Sequence, residues 1–133
     1  MTYSIVARDP ETGELAEEQR PRILAELAAG RRISLISDAG TPLVSDPGYK
    51  LVREAIEEGH TVVAIPGASA VMAGISVAGL PTDQVLFAGF LPAKSGARRV
   101  AVQGLKTLAA TLVFYEAPQR IAESLRDLAT VLG

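Results

Sequence analysis

The sequence predicts an α/β fold: a parallel α/β sheet followed by the start of a second α/β subdomain. Three observations carry this. Residues 33–36 (ISLI) and 61–65 (TVVAI) are apolar runs of strand length, and a helical stripe lies between them at Leu51, Val52, Ala55 and Ile56. A strand–helix–strand order of this kind implies parallel strands joined by a right-handed crossover. Farther on, 85–90 (VLFAGF) and 111–115 (TLVFY) repeat the strand pattern, and 121–132 has helical periodicity. Glycine- and proline-rich bends follow both strands of the first unit, at 37–48 (SDAGTPLVSDPG) and 66–70 (PGASA).

Residues 2–6 form a short strand, and 9–13 (DPETG) are turn chemistry. A helix is expected from Glu17, with Ile23, Leu24, Leu27 and Ala28 on one face and Gly30 as its stop. After the strand at 33–36, a second helix begins with Asp46 as N-cap and Pro47 in the first turn, and ends at Gly59. The run 61–65 is fully apolar, as in a parallel strand buried on both faces. The small-residue stretch 68–80 is a helix suited to close packing. Between the later strands, 94–106 is a polar, basic connector. These changes of texture place one subdomain at 1–67 and another at 68–133.

Composition sets limits. The 133 residues suit one domain or part of a larger protein, and 48% are hydrophobic, enough for a core. Thirteen basic and 15 acidic residues give a net charge of −2, so bulk charge attracts no polyanion. The absence of cysteine removes disulfides and thiolate chemistry, and a single histidine excludes a histidine cluster for metal. No apolar run reaches the roughly 20 residues of a membrane span, and no secretory h-region opens the chain. The expectation is a cytoplasmic protein without metal or membrane partner.

Ligands of open parallel sheets bind outside the carboxyl ends of the strands. Asp38, Gly40, Thr41 and Pro42 stand at that edge, so 38–42 reads as a binding loop, whereas Asp46, Pro47 and Gly48 are explained as a helix start. Pro66, Gly67, Ser69 and Ala70 follow the next strand at the same edge, and Ser69 could cap a helix or touch a ligand. Glu116, taken by itself, reads as a solvent-facing residue at a strand end. Lys94, Arg98, Arg99 and Lys106 read as a solvated basic loop, with a nucleic-acid contact as the sharper alternative. No G-x-G-x-x-G follows a strand, 104–107 lacks the spacing and the Gly-Lys pair of a phosphate loop, and Gly67-x-Ser69 lacks the second glycine of a nucleophile elbow.

Five motifs in register, SDAGTPLVSDPG, IPGASA, GLPTD, GFLPAK and FYEAPQR, resemble the tetrapyrrole methylase family, in the branch that methylates a ribose 2′-hydroxyl (of cytidine) in small-subunit rRNA. The resemblance implies a tetrapyrrole-methylase-like fold, truncated here, with S-adenosylmethionine (SAM) in a cleft between two α/β domains, and homodimers. It implies cofactor-binding roles for Asp38, Ala39, Gly40, Thr41 and Pro42, for Pro66, Gly67, Ser69 and Ala70, for Leu80, Pro81 and Thr82, and for Tyr115 and Glu116. No general base is assigned. The family's opening TPIGN loop has no counterpart in residues 1–16, which predicts weak or absent SAM binding by the chain alone, with residues 3–7 serving as the central strand beside 33–36 and 61–65. A catalytically inactive binding or dimerisation module, or a corrin or porphyrin methylase, are the alternatives.

Overall fold

The computed structural model describes residues 2–5, 19–37 and 40–133, the first of these in backbone only. The expected turn at 9–13, the helix start at Glu17, and Asp38 and Ala39 lie outside the described residues. The chain divides into two compact units, Met1–Ala70 and Val71–Gly133.

In the first unit, β1 (Thr2–Ile5) pairs in parallel with β2 (Arg32–Leu35), Thr2 opposite Arg32 and Ile5 opposite Leu35. The expected pairing of the N-terminal strand with the second strand is therefore present, but 61–65 does not flank it on the other side, so β1 is not the expected central strand among the described residues. Helix α1 (Gln19–Ala28) turns Ile23 inward against Leu51 of α2 (Tyr49–Glu57), with Leu24, Leu27, Ile33 and Leu35 packed around them. Both helices end in the same hydrogen-bond pattern. Gly30 N donates to Leu27 O and Arg31 N to Glu26 O, while Gly59 N donates to Ile56 O and His60 N to Ala55 O. These are Schellman closures with glycine just past the last turn.

Two expectations fail here. Asp46 and Pro47 do not start α2; its N-cap is Gly48, at φ 122°, and no side chain caps the helix. The loop holds left-handed backbone at Gly40, Leu43, Ser45 and Gly48, which postpones the helix to Tyr49. Residues 61–65 form no strand and pair with none among the described residues, whose first-unit sheet is β1–β2 alone. Val63 is 75% exposed and Ile65 86%. The propensity of β-branched residues for strands is chiefly a preference for a half-buried pleated surface. Without a neighbouring strand to supply one, the run stays unpaired.

The second unit contains α3 (Ala70–Val77, from the last residue of the first), β3 (Val85–Phe90), α4 (Ser95–Gln103), β4 (Thr111–Tyr115) and α5 (Ile121–Leu132). Strands β3 and β4 are parallel, Val85 opposite Thr111, with an irregularity between Phe87 and Phe90 where Gly89 has φ 66°. Leu91, Val102 and Val131 form the core with Phe114 and Leu128.

The polar connector expected at 94–106 is instead largely helix α4. Arg98 is only 1% exposed. Its Nε and Nη2 donate to Asp127 Oδ2 at 2.7 and 2.6 Å, and its Nη1 to the Ala93 and Pro92 carbonyls at 3.1 and 3.3 Å. Arg99 Nε and Ser95 Oγ donate to Asp127 Oδ1 at 2.6 and 3.0 Å. One carboxylate of α5 thus fastens α4 and the turn before it, because a buried charge is tolerated only when paired and hydrogen-bonded.

Candidate functional site

The two glycine-bearing loops of the first unit meet. Thr41 Oγ1 donates to Ala68 O at 3.3 Å, and a Cβ placed on Gly40 would lie 4.0 Å from the same oxygen. Gly40 sits at φ 88°, and Leu43 and Ser45 hold φ 70° and 55° without being glycine. Non-glycine residues in that region cost on the order of 1–3 kcal/mol each, and such strain gathers where backbone must be aimed. Pro66, Gly67 and Ala68 are exposed, and a Cβ on Gly67 would meet nothing within 4 Å. Ser69 is half-buried and directly precedes Ala70, the first residue of α3.

The other expected residues lie in the second unit. Leu80 and Thr82 line a cavity of about 260 Å³ together with Gly74, Ile75 and Phe114. Pro81 is fixed by its carbonyl, which accepts from Thr111 Oγ1 at 2.6 Å. Ile75 and Phe114 are not among the expected site residues. Their signal in the sequence is the small-residue face Gly74 and Ala78, one turn apart, which leaves space beside the end of β4. Tyr115 packs edge-on to Phe87, ring centroids 4.8 Å apart, and lies 5.5 Å from Phe90.

Glu116 is not a solvent-facing residue. Its side chain is 9% exposed, and Arg120 Nη2 reaches Oε1 at 2.6 Å. Ser124 Oγ donates to Oε2 at 2.5 Å and the Ala117 N–H to Oε1 at 2.8 Å. These bonds, that from Ser124 first, hold its pKa below the ordinary 4.5 against the opposing effect of burial. The carboxylate ties the end of β4 to the short 3-10 turn Pro118–Arg120 and the first turn of α5. Glu116→Gln is expected to lower Tm by several degrees and to speed amide exchange at 117–121. A folded pKa lowered below the unfolded one means that this contribution is present above pH 4.5 and fades as pH falls below it. The gap in Tm between wild type and variant should therefore narrow in acid.

A loop past the carboxyl end of a parallel strand, with a second α/β unit following in the chain, defines an α/β protein built in two parts. The chain belongs to the tetrapyrrole (corrin/porphyrin) methylase family, whose model matches residues 2–132. Curated relatives agree in name. A protein of Mesorhizobium japonicum named ribosomal RNA small subunit methyltransferase I is 54% identical over 118 residues, covering 89% of this chain and 40% of its own length. Proteins of the same name are 50% identical in Pseudomonas aeruginosa (87% and 41%) and 47% identical in Escherichia coli O157:H7 (88% and 41%). The chain spans about two fifths of the length of these relatives. Among the described residues, no helix is long and apolar enough to cross a membrane.

Proposed function

We propose that this chain is part of a SAM-dependent methyltransferase that acts on a ribose 2′-hydroxyl of small-subunit rRNA. The observation that carries the reading is the meeting of the two loops, Thr41 Oγ1 on Ala68 O at 3.3 Å. The composition of both loops also suits a sulfonium. Neither 37–48 nor 61–70 contains lysine or arginine, so the loops themselves offer a cation backbone dipoles and add no like charge of their own. The names of the relatives support the rRNA substrate, and the exposed Met72 and Val77 on α3 support pairing of two copies.

SAM, when bound, would supply a methyl group on a positively charged sulfur. The chain's own contribution is alignment. Gly40, Thr41 and Pro42 present backbone to the ligand, Thr41 holds that segment against Ala68, and Gly67 leaves the approach open. In a displacement at carbon, fixing donor and acceptor in line removes much of the entropic barrier.

An NMR titration of the 15N-labelled chain with SAM to millimolar concentration tests this and reads weak binding. Shifts gathered at 40–42 and 66–70 are the expected result. Gly67→Val should abolish them while leaving Tm unchanged, since the added side chain meets only open space in the free protein. Absence of shifts in wild type, or equal shifts in the variant, overturns the reading.

A further inference from the structure

At the far end of the loop that carries Thr41 stands an aromatic ring that the core does not use. Tyr49 opens α2 and is 64% exposed. The loop folds back on itself here, for a Cβ on Gly48 would lie 3.4 Å from Leu43 Cδ1. Gly48, directly before Tyr49, also lies against Leu35 at the end of β2, where an added Cβ would be 2.8 Å from Cδ2. Arg53, one turn on, places its guanidinium carbon 6.0 Å from the Tyr49 ring centroid. Beside the ring is a depression of about 120 Å³ lined by Arg20, Asp46, Gly48 and Lys50.

An exposed ring of this size forfeits burial that a core position would give it. Paired with a guanidinium and a neighbouring ammonium, it has the makeup of surfaces that take unpaired bases. There a base stacks on an aromatic face or an arginine plane while cations meet the phosphate. The acidic neighbours shape the expectation further. Glu57 Oε1 lies 3.4 Å from Arg53 Nε, and Glu54 Oε2 lies 3.5 Å from Arg20 Nε. With its cations thus tempered, the surface would draw its affinity from stacking more than from charge.

We propose that Tyr49, with Arg53 and Lys50, is a stacking platform for one unpaired nucleotide of single-stranded RNA. This rests on the proposed function, to which it adds the place where the nucleic acid is gripped beside the loop for the methyl donor. An aromatic plate is indifferent to base identity, so this site holds a nucleotide out of the helix without choosing its sequence. A duplex offers no free base face and is not a ligand.

The test is fluorescence anisotropy with a labelled ten-nucleotide single-stranded RNA of mixed sequence, its duplex as a second probe, and the full chain. Wild type should bind the single strand and not the duplex. Tyr49→Ala should weaken binding about tenfold or more, and Tyr49→Phe should keep it within about threefold, since the ring and not the hydroxyl stacks. The salt dependence should correspond to only about one or two phosphates, a slope near −1. Thermal melting verifies the fold of the alanine variant, whose side chain is exposed. Equal affinity of wild type and Tyr49→Ala, no binding of the single strand, or equal binding of the duplex overturns the proposal. The SAM titration separates the two readings. Tyr49-dependent RNA binding without SAM-induced shifts keeps the platform and ends the methyltransferase reading. SAM-induced shifts with RNA binding indifferent to Tyr49 do the reverse.

Discussion

Replacing Asp127 with alanine is expected to lower Tm by more than about 10 °C, more than any exposed-charge substitution in the chain. The reason lies in what remains behind. Arg98 keeps its place under α5 with the Pro92 and Ala93 carbonyls and the more distant, exposed carboxylate of Glu123, 3.9 Å from its Nη2, and a buried guanidinium without its buried carboxylate is strongly unfavourable. Asp127→Asn should fall between wild type and alanine, since an amide oxygen still accepts but carries no charge. The double variant Arg98→Met, Asp127→Leu should recover much of the loss, because a well-packed apolar pair replaces a buried ion pair at little cost. Thermal melting by circular dichroism reads all three. An alanine variant within about 3 °C of wild type would place the cluster among ordinary surface pairs and contradict its structural role.

The same cluster sets an acid limit. The hydrogen bond from Arg99 foremost, with those from Ser95 and Arg98, lowers the Asp127 pKa from 3.8 to about 2. Because the folded pKa is depressed, the stabilisation is complete above pH 3.8 and disappears as pH falls through about 2. Asp127→Asn has no such proton to bind. Its Tm deficit relative to wild type should be largest near neutrality and shrink across that acid interval.

These residues also show where the sequence is readable and where it is not. Helices α1 and α2 are legible because Ile23, Leu27, Leu51 and Ala55 recur at helical spacing and Gly30 and Gly59 close them, all local features. The pair β3 and β4 is equally plain. Helix α4 is obscured because Arg98 and Arg99 look like solvent charges until Asp127, 28 and 29 residues later, is brought beside them. No short window along the chain contains both partners. The spacing of Arg98 to Val102, both on the buried face, is the available hint. Residues 61–65 err the other way, since their composition states a preference for strand and strand formation needs a neighbour. Of the candidate site, the place of 40–42 past the carboxyl end of β2 follows from the rule for parallel sheets, whereas 66–70 follow an unpaired run to which that rule does not apply. The loop that carries the Thr41 bond to Ala68 has left-handed backbone at Gly40, Leu43 and Ser45, which sequence alone does not reveal at non-glycine positions. Glu116 is misleading in the sequence because its partners Arg120 and Ser124 matter only once the following turn is formed.

Gly48→Ala is expected to be nearly as damaging as loss of Asp127, by an unrelated route. Gly48 holds φ 122° and ψ −10°, a backbone conformation that L side chains rarely adopt. An added Cβ would also lie 2.8 Å from Leu35 Cδ2, inside van der Waals contact, and 3.4 Å from Leu43 Cδ1. Backbone strain of about 1–3 kcal/mol and overpacking of about 1–3 kcal/mol point to a Tm lower by about 10 °C or more. Gly59→Ala separates the two effects. Gly59 is at φ 81° and a methyl added there would meet nothing within 4 Å, so only the backbone effect applies, about 1 kcal/mol or slightly more. Equal Tm values for the two variants would show that Leu35 yields freely and that the close approach is immaterial. The consequence for the site follows from which atoms would have to move. Leu35 ends β2 and Leu43 lies two residues after Thr41, so relieving the clash shifts the segment that Thr41 pins to Ala68. Gly48→Ala should thus lose the SAM-induced shifts at 40–42 at temperatures where the variant is still folded, whereas Gly59→Ala should keep them.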